Sequence, residues 1–262
     1  MIRSSKYRKR GTSSLLTVVL IAGFLWTEGW AQMTEVNMGV AFVNARVAPL
    51  WVAEREGFFR KNGIDVKLTN IPGGTQGAQA LLSGGIEVSY ADPASTISAI
   101  AAGAQLVEVM AITTIMPYYL VGAAAVKTIA DLRTINVPWE QDALETSRKS
   151  LQTKRDVIER VMKALLEGNA YVLNPANRSS LLELLRSRLG LKTTEEANAA
   201  YEDLIKYYVL KKPYPYRERL LSITAEIAKI VPKAASLKFE DLAASSIIEK
   251  LDKSGFIDSL YK

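Results

Sequence analysis

The chain has 262 residues, of which 48% are hydrophobic and 23% charged. This composition excludes a wholly disordered protein, and the length allows one large or two modest domains. It contains no histidine and no cysteine. That absence excludes Ser-His-Asp and Cys-His catalysis, zinc and iron–sulfur sites with these ligands, and disulfide bonds. Carboxylate acid–base chemistry and Mg²⁺ binding remain open.

Most of the formal net charge of +6 lies in the N-terminal segment, because residues 1–31 carry +4. This segment has a basic start, an apolar run over 15–26, and the small residues Gly29 and Ala31. That pattern is typical of a signal peptide cleaved before Gln32. The 12 residues of this run are too few to cross a bilayer, which needs about 20. We expect export to a bacterial periplasm; an uncleaved membrane anchor is the alternative.

The first part of the remaining chain alternates short apolar runs with helical stretches. Strands are predicted over 36–43, 64–71, 86–91, 106–111 and 118–125, and helices over 49–62, 77–83 and 96–102. This order predicts a mostly parallel sheet with helices on both faces.

The pattern becomes helical from about Thr128. Helices are predicted over 156–171, 179–189, 194–208, 217–230 and 239–253, and a strand over Thr134–Val137. An α/β half followed by a nearly strand-free half is an unusual imbalance. The charge of +2 outside residues 1–31 gives little support for nucleic-acid binding.

Three predicted loops follow successive strands, where α/β sheets bind ligands. They are 44–46, 73–76 and 92–95, and each leads into a helix whose first N–H groups favour an anion. Thr75 and Ser95 offer hydroxyls at expected cap positions, and Arg46 offers a partner for a carboxylate or sulfonate. The alternatives are that Thr75 and Ser95 only cap helices and that Arg46 is a solvated surface charge.

The aromatic and glycine-rich segments give weaker indications of a ligand site than these loops do. Tyr118 and Tyr119 are candidates for stacking on a ligand, with core or hinge packing as the alternative. The segment 73–75 lacks the lysine of a P-loop and the glycine spacing of a dinucleotide-binding turn. We therefore expect noncovalent binding without a cofactor.

Several segments in and around these loops resemble one known protein family. The segments 48–66 (APLWVAEREGFFRKNGIDV), 71–75 (IPGGT) and 79–84 (QALLSG) resemble the substrate-binding proteins of ABC importers for nitrate, sulfonates, taurine and pyrimidine precursors of thiamine. Segments 212–215 (KPYP) and 251–258 (LDKSGFID) are similar to the same family.

The resemblance implies a periplasmic-binding-protein type II-like fold with a cleft between two lobes and a hinge near Ile115–Leu120. It implies a periplasmic monomer that is not an enzyme and that delivers a small anionic or heteroaromatic solute to an ABC permease of the inner membrane. The ligand-binding residues expected on this basis, together with the loop positions above, are Asn44, Arg46, Thr75, Gln76, Asp92, Ser95 and Tyr118.

The chain departs from this family after Ala130–Leu132. The next residues, 134–138, resemble a point late in the second lobe, so about 60 to 80 residues, roughly two βαβ units, are missing. We therefore expect a signal peptide over 1–31, an α/β first lobe over 32–127, and a truncated, largely helical second lobe over 128–262. Solute binding should be weak or absent unless the helices rebuild the missing wall.

Two other functions remain open. One is a pyrimidine-precursor synthase of the related cytosolic branch, which the signal-like segment and the absence of histidine disfavour. The other is an interaction or sensor module that docks a partner through the helical half. An exposed apolar patch over 150–262 would favour this module.

Overall fold

The computed structural model describes residues 33–122, 127–135 and 137–262. The predicted signal peptide therefore lies outside the described residues. Residues 32–262 form one compact unit. Within the described part of the chain, no helix is both long and apolar enough to traverse a bilayer.

Seven strands form two sheets in the described residues. In chain order they are β1 (Thr34–Val40), β2 (Ile64–Asn70), β3 (Val88–Ala91), β4 (Leu106–Thr113), β5 (Tyr119–Gly122), β6 (Lys127–Asp131) and β7 (Asp142–Ser147). The main sheet has the order β2-β1-β3-β7-β4, and β5 pairs with β6 in a separate antiparallel hairpin. Strand β1 is parallel to both β2 and β3, whereas β7 is antiparallel to both β3 and β4.

The α/β class and the mostly parallel character of the sheet near its core are confirmed. The strand predicted over Thr134–Val137 is wrong for the residues described there, because Thr134 ends a 3₁₀ turn and neither Ile135 nor Val137 is in a strand; Asn136 lies outside the described residues. Strand β7 was missed, since Asp and Glu are depleted in strands and its sequence is DALETS. The predicted strand 118–125 corresponds to β5, and its last residues, 123–125, lie outside the described residues.

Twelve α-helices complete the described fold. They are α1 (Ala48–Arg55), α2 (Phe58–Lys61), α3 (Gly74–Ser83), α4 (Pro93–Ala101), α5 (Arg148–Thr153), α6 (Arg155–Leu173), α7 (Arg178–Leu189), α8 (Thr194–Asp203), α9 (Arg217–Ala228), α10 (Phe239–Leu242), α11 (Ser246–Lys253) and α12 (Phe256–Ser259). A π-helical turn, Leu204–Tyr208, extends α8. The single helix predicted over 49–62 is two helices, because Gly57 has a φ of 74° between them.

Helices from both halves of the chain cover the main sheet. One apolar cluster joins β1 to α1, α6 and α11 through residues such as Met38, Leu50, Ile158 and Ile248. A second cluster joins α3 and α4 to α9, with Ile97 and Leu220 among its members. The later helices thus bury their apolar stripes against the first half of the chain.

The boundary expected at 127/128 falls inside this compact unit, and the division into two lobes stays a prediction. Strand β7 returns the chain to the main sheet, and the helices that follow pack on that sheet. An amphipathic helix must bury its apolar face against another element, and the main sheet offers a large apolar surface for this. The second sheet of the described residues is the β5–β6 hairpin.

Candidate functional site

Arg46 lies in the loop that follows β1, at the edge of the main sheet where the predicted ligand-binding loops 44–46, 73–76 and 92–95 begin. The loop forms a 3₁₀ turn, Ala45–Val47, which Asn44 caps by accepting a hydrogen bond from the Arg46 N–H at 3.0 Å. The Tyr90 hydroxyl donates to the Arg46 carbonyl at 2.7 Å. These two bonds fix the backbone from which the Arg46 side chain extends.

The guanidinium of Arg46 forms a two-point ion pair with Asp142 of β7. Its Nε lies 2.5 Å from Asp142 Oδ2, and its Nη2 lies 3.3 Å from Oδ1. The Arg46 side chain is 13% exposed and that of Asp142 is fully buried. Burial raises the pKa of Asp142 to about 6, although Arg46 acts in the opposite direction. The Arg46 guanidinium is therefore not a solvated surface charge, and its charge is already balanced by Asp142.

The start of α3 offers backbone donors without a side-chain cap. Its N-cap is Gly73, and Thr75 and Gln76 are exposed in the first turn. A Cβ on Gly74 would lie 2.3 Å from the Cβ of Ser95, so the first turns of α3 and α4 are in contact at this point. Thr75 was expected at the cap position and is instead inside the helix, where its hydroxyl makes no capping bond.

The start of α4 already faces a carboxylate. Asp92 is its N-cap, and it accepts hydrogen bonds from the Ala94 N–H at 2.7 Å and from Gln141 Nε2 at 3.1 Å. Ser95, expected as the cap, is half-buried in the first turn. Burial raises the pKa of Asp92, while the Ala94 N–H and Arg46 lower it. The positive end of this helix is therefore partly neutralised by its own chain.

Tyr118 lies at the base of the β5–β6 hairpin. Its side chain is 51% exposed, and its carbonyl accepts a hydrogen bond from the Leu132 N–H at 2.9 Å. The other six predicted residues lie on the loops and first helical turns that follow β1, β2 and β3. Gln141 and Asp142, which contact Asp92 and Arg46, were missed because no pattern around them indicated a strand returning to the sheet.

Three further carboxyl groups are buried beside this edge. Glu108 of β4 lies directly across from Glu145 of β7, and Glu140 precedes β7. All three have side-chain oxygens without a hydrogen-bond partner. Burial raises the pKa of Glu140 to about 7 and that of Glu145 to about 8, and raises the pKa of Glu108 well above its ordinary value. At neutral pH the folded protein therefore holds protons here that the unfolded chain has already released.

We expect the protein to be more stable at pH 5 than at pH 9. The folded-state pKa values of Glu140 and Glu145 exceed the ordinary 4.5, so the native state binds more protons than the unfolded state between about pH 4.5 and 8. The free energy of unfolding should be highest below this window and fall as pH rises through it, by a few kcal/mol in order of magnitude. Thermal unfolding followed by circular dichroism measures the decline.

The Glu145→Gln variant is the direct test of this prediction, because its amide stays neutral at every pH. It should flatten the decline, whereas Glu195→Gln, at an exposed position of α8, should leave it unchanged. A melting temperature that is constant or rises between pH 5 and pH 9 would contradict the prediction.

A cavity of about 600 Å³ lies between α7 and α8, away from the loops that follow β1, β2 and β3, and is lined by residues such as Leu182, Arg186 and Ala197. In the ranges that the structure describes, no group of three or more acidic side chains is arranged to hold a metal ion. The site consists of backbone donors, one internally paired arginine and the Asp92 carboxylate.

One family model and several solved structures are similar to this chain. Residues 44–137 match the family model described as NMT1/THI5 like. No curated protein matches the chain. A solved structure from Bordetella bronchiseptica RB50 gives a TM-score of 0.71 at 13% identity, covering 85% of this chain and 98% of that one.

Two solved structures whose names state a function have the same fold. The putative sulfonate ABC transporter periplasmic sulfonate-binding protein SsuA from Methylobacillus flagellatus KT gives a TM-score of 0.65 at 14% identity, covering 88% of this chain and 97% of that one. The periplasmic nitrate-binding protein NrtA from Synechocystis PCC 6803 gives 0.59 at 12% identity, covering 88% and 91%. The chain thus has the fold of the periplasmic binding proteins, and its segment 44–137, which carries most of the candidate site, matches the NMT1/THI5-like family.

Proposed function

We propose that the protein binds a small solute at the start of α3, beside Asp92. The observation that carries this proposal is the uncapped first turn at Gly73–Gln76, which lies exposed at the edge where the strand-ending loops meet. Its backbone N–H groups have no partner within the helix and favour an acceptor group of a ligand. The fold shared with sulfonate- and nitrate-binding proteins supports the same role.

The charge balance narrows the class of solute. Arg46 is neutralised by Asp142, so it adds little attraction for an anion. Asp92 lies in the adjoining helix start, and each of its oxygens accepts one hydrogen bond. A carboxylate oxygen has room for a second donor. A solute with both an acceptor for α3 and an amino group for Asp92 fits this arrangement better than a simple oxyanion such as nitrate.

The proposed class therefore comprises aminosulfonates such as taurine and amino-substituted heteroaromatic compounds. The described part of the second sheet has two strands, and we infer that a solute here is open to water on one side. High affinity requires most of a small ligand to be buried. We propose weak binding, by an exported monomer that hands its solute to an ABC permease; the signal-like segment 1–31 supports export.

The partner-docking alternative gains no support from the later helices. In the described part of 150–262, the large apolar side chains that are exposed are Tyr216 and Ile230. Such scattered residues are common on protein surfaces and do not form an interaction patch.

Isothermal titration with taurine, ethanesulfonate, an aminopyrimidine and nitrate tests the proposed solute class. We expect dissociation constants above roughly 100 μM, with taurine and the aminopyrimidine bound more tightly than ethanesulfonate and nitrate. Asp92→Asn should remove the preference for taurine over ethanesulfonate, because it removes the charge that faces the amino group.

The matched control is Asp65→Asn, at an acidic position near the start of β2, which should leave the preference unchanged. Tighter binding of nitrate than of taurine would overturn the assigned solute class. Micromolar affinity for any of the four would contradict the open site, and no binding of any would contradict the proposed function.

A further inference from the structure

Arg219 of α9 bonds to both chain segments that connect the β5–β6 hairpin to the main sheet. Its Nη1 donates to the carbonyl of Thr114, which follows β4. The same atom lies 3.0 Å from the carbonyl of Trp139 and 3.4 Å from that of Val137, both of which precede β7. The two segments are also bonded to each other, since the Gln141 N–H donates to the Thr113 carbonyl at 2.7 Å.

Arg133 makes a second connection, at the base of the hairpin. Its guanidinium pairs with Asp131 at the end of β6, at 2.8 Å, and with Asp203 at the end of α8, at 2.5 Å. It also stacks over Tyr119 of β5 and Tyr207 of the π-helical turn, with its Cζ 4.6 and 4.9 Å from the two ring centres. The Arg133 side chain is 10% exposed, so these partners replace water around it.

Both connections lead to well-packed parts of the molecule. Helix α9 contributes Leu220 and Ile223 to the apolar cluster on one face of the sheet. The π-helical turn contributes Leu204 and Tyr208 to the cluster on the other face. The hairpin is thus attached to elements on both faces of the main sheet, each through an arginine with several partners.

We propose that Arg133 and Arg219 hold the β5–β6 hairpin in one orientation, so that it is a fixed projection and not a lid that closes over the solute site. A hinge moves when a few residues absorb a change of backbone angles. Here the Arg219 side chain bridges the two connecting segments. The planar guanidinium of Arg133 is held in a defined geometry by two carboxylates and two aromatic rings. The relation to the solute rests on the proposed function; the fixed orientation does not.

Distances between spin labels test the orientation in the solute-free protein. Because the chain has no cysteine, labels can be placed at Leu120→Cys on the hairpin and Val43→Cys on the body, two positions that are 53% and 62% exposed. The expected result is one narrow distance distribution, as narrow as that of a body pair at Val43→Cys and Ile230→Cys. Addition of taurine should leave its maximum in place.

Arg133→Met and Arg219→Met should each widen the hairpin distribution by about twofold or more, since each frees one attachment. Arg178→Met and Arg217→Met are the matched controls. Arg178 stacks on Tyr201 and pairs with Glu202, and Arg217 stacks on Phe239 and pairs with Glu240, and all four partners lie outside the hairpin and its connecting segments. Both controls should leave the distribution narrow.

A broad or two-peaked distribution in the otherwise unchanged protein would overturn the proposal, as would a shift of its maximum on adding taurine. So would an unchanged width in both Arg133→Met and Arg219→Met. If Arg133→Met does not fold, Asp203→Asn removes one partner of Arg133 and carries the same expectation. Titration and label distances are separate readouts, so failure of solute binding and failure of the fixed orientation are distinguishable.

Discussion

Replacing Arg46 with methionine is expected to lower the free energy of unfolding by about 3–5 kcal/mol at pH 7, the cost of removing one partner of a buried ion pair. The substitution leaves the Asp142 carboxylate in a site from which water is excluded, with no cation to balance it. The loss should be smaller at pH 5, because Asp142, whose pKa is already raised to about 6 by burial, then becomes neutral by protonation. Urea unfolding at the two pH values measures both effects.

A double-mutant cycle separates the ion pair from packing. Asp142→Asn removes the buried charge, so Arg46→Met combined with Asp142→Asn should be more stable than Arg46→Met alone. Arg217→Met is the control, because the Arg217–Glu240 pair is exposed and such pairs contribute about 1 kcal/mol or less. A loss below about 1 kcal/mol in Arg46→Met would contradict the interpretation that Arg46 compensates a buried carboxylate.

Gly168→Ala is expected to destabilise the protein by about 3 kcal/mol, at the upper end of the usual range for overpacking. In an open helix the same change would stabilise by about 0.5–1 kcal/mol, since alanine is the better helix former. Gly168 lies in α6 where this helix crosses α1, and a Cβ there would lie 2.3 Å from the Pro49 carbonyl oxygen and 3.1 Å from its carbon. Both are backbone atoms, so the steric clash is relieved only if α1 and α6 move apart.

Gly77→Ala in α3 is the matched control. The nearest atom to its added Cβ is the Ser89 hydroxyl at 3.3 Å, and a side-chain oxygen moves more easily than a backbone carbonyl. Its change in the free energy of unfolding should therefore be within about 1 kcal/mol of zero. An equal loss in the two variants would show that helix–helix contact at Gly168 is not the cause.

Sequence patterns predicted the part of the fold that repeats locally. Strands β1, β2 and β3 are short segments with apolar positions, each followed by a turn and a helix, and such segments are recognisable without knowledge of their partners. The loops after β1, β2 and β3 follow from that order, so Asn44, Arg46, Thr75, Gln76, Asp92 and Ser95 could be placed on one edge in advance. The capping roles were less accurate: Asp92 and Gly73 hold the cap positions expected for Ser95 and Thr75.

Strand β7 shows why other features were not predictable. Its sequence DALETS carries two carboxylates, and it is a strand because it fills the space between β3 and β4. That space is defined by partner residues 29 to 58 positions earlier in the chain. The partner of Arg46 belongs to this strand, so the charge of the candidate site also depended on it.

The amino-acid sequence by itself determined an α/β sheet with three loops at its edge, a binding chemistry without histidine or cysteine, and a signal-like N-terminal segment. The tertiary structure decided where the later helices pack, which carboxylate neutralises Arg46, and how Arg133 and Arg219 attach the hairpin. The difference has a physical reason. Periodicity and turn residues act over a few positions, whereas an ion pair or a packed helix depends on a partner that the chain brings from about 90 residues away.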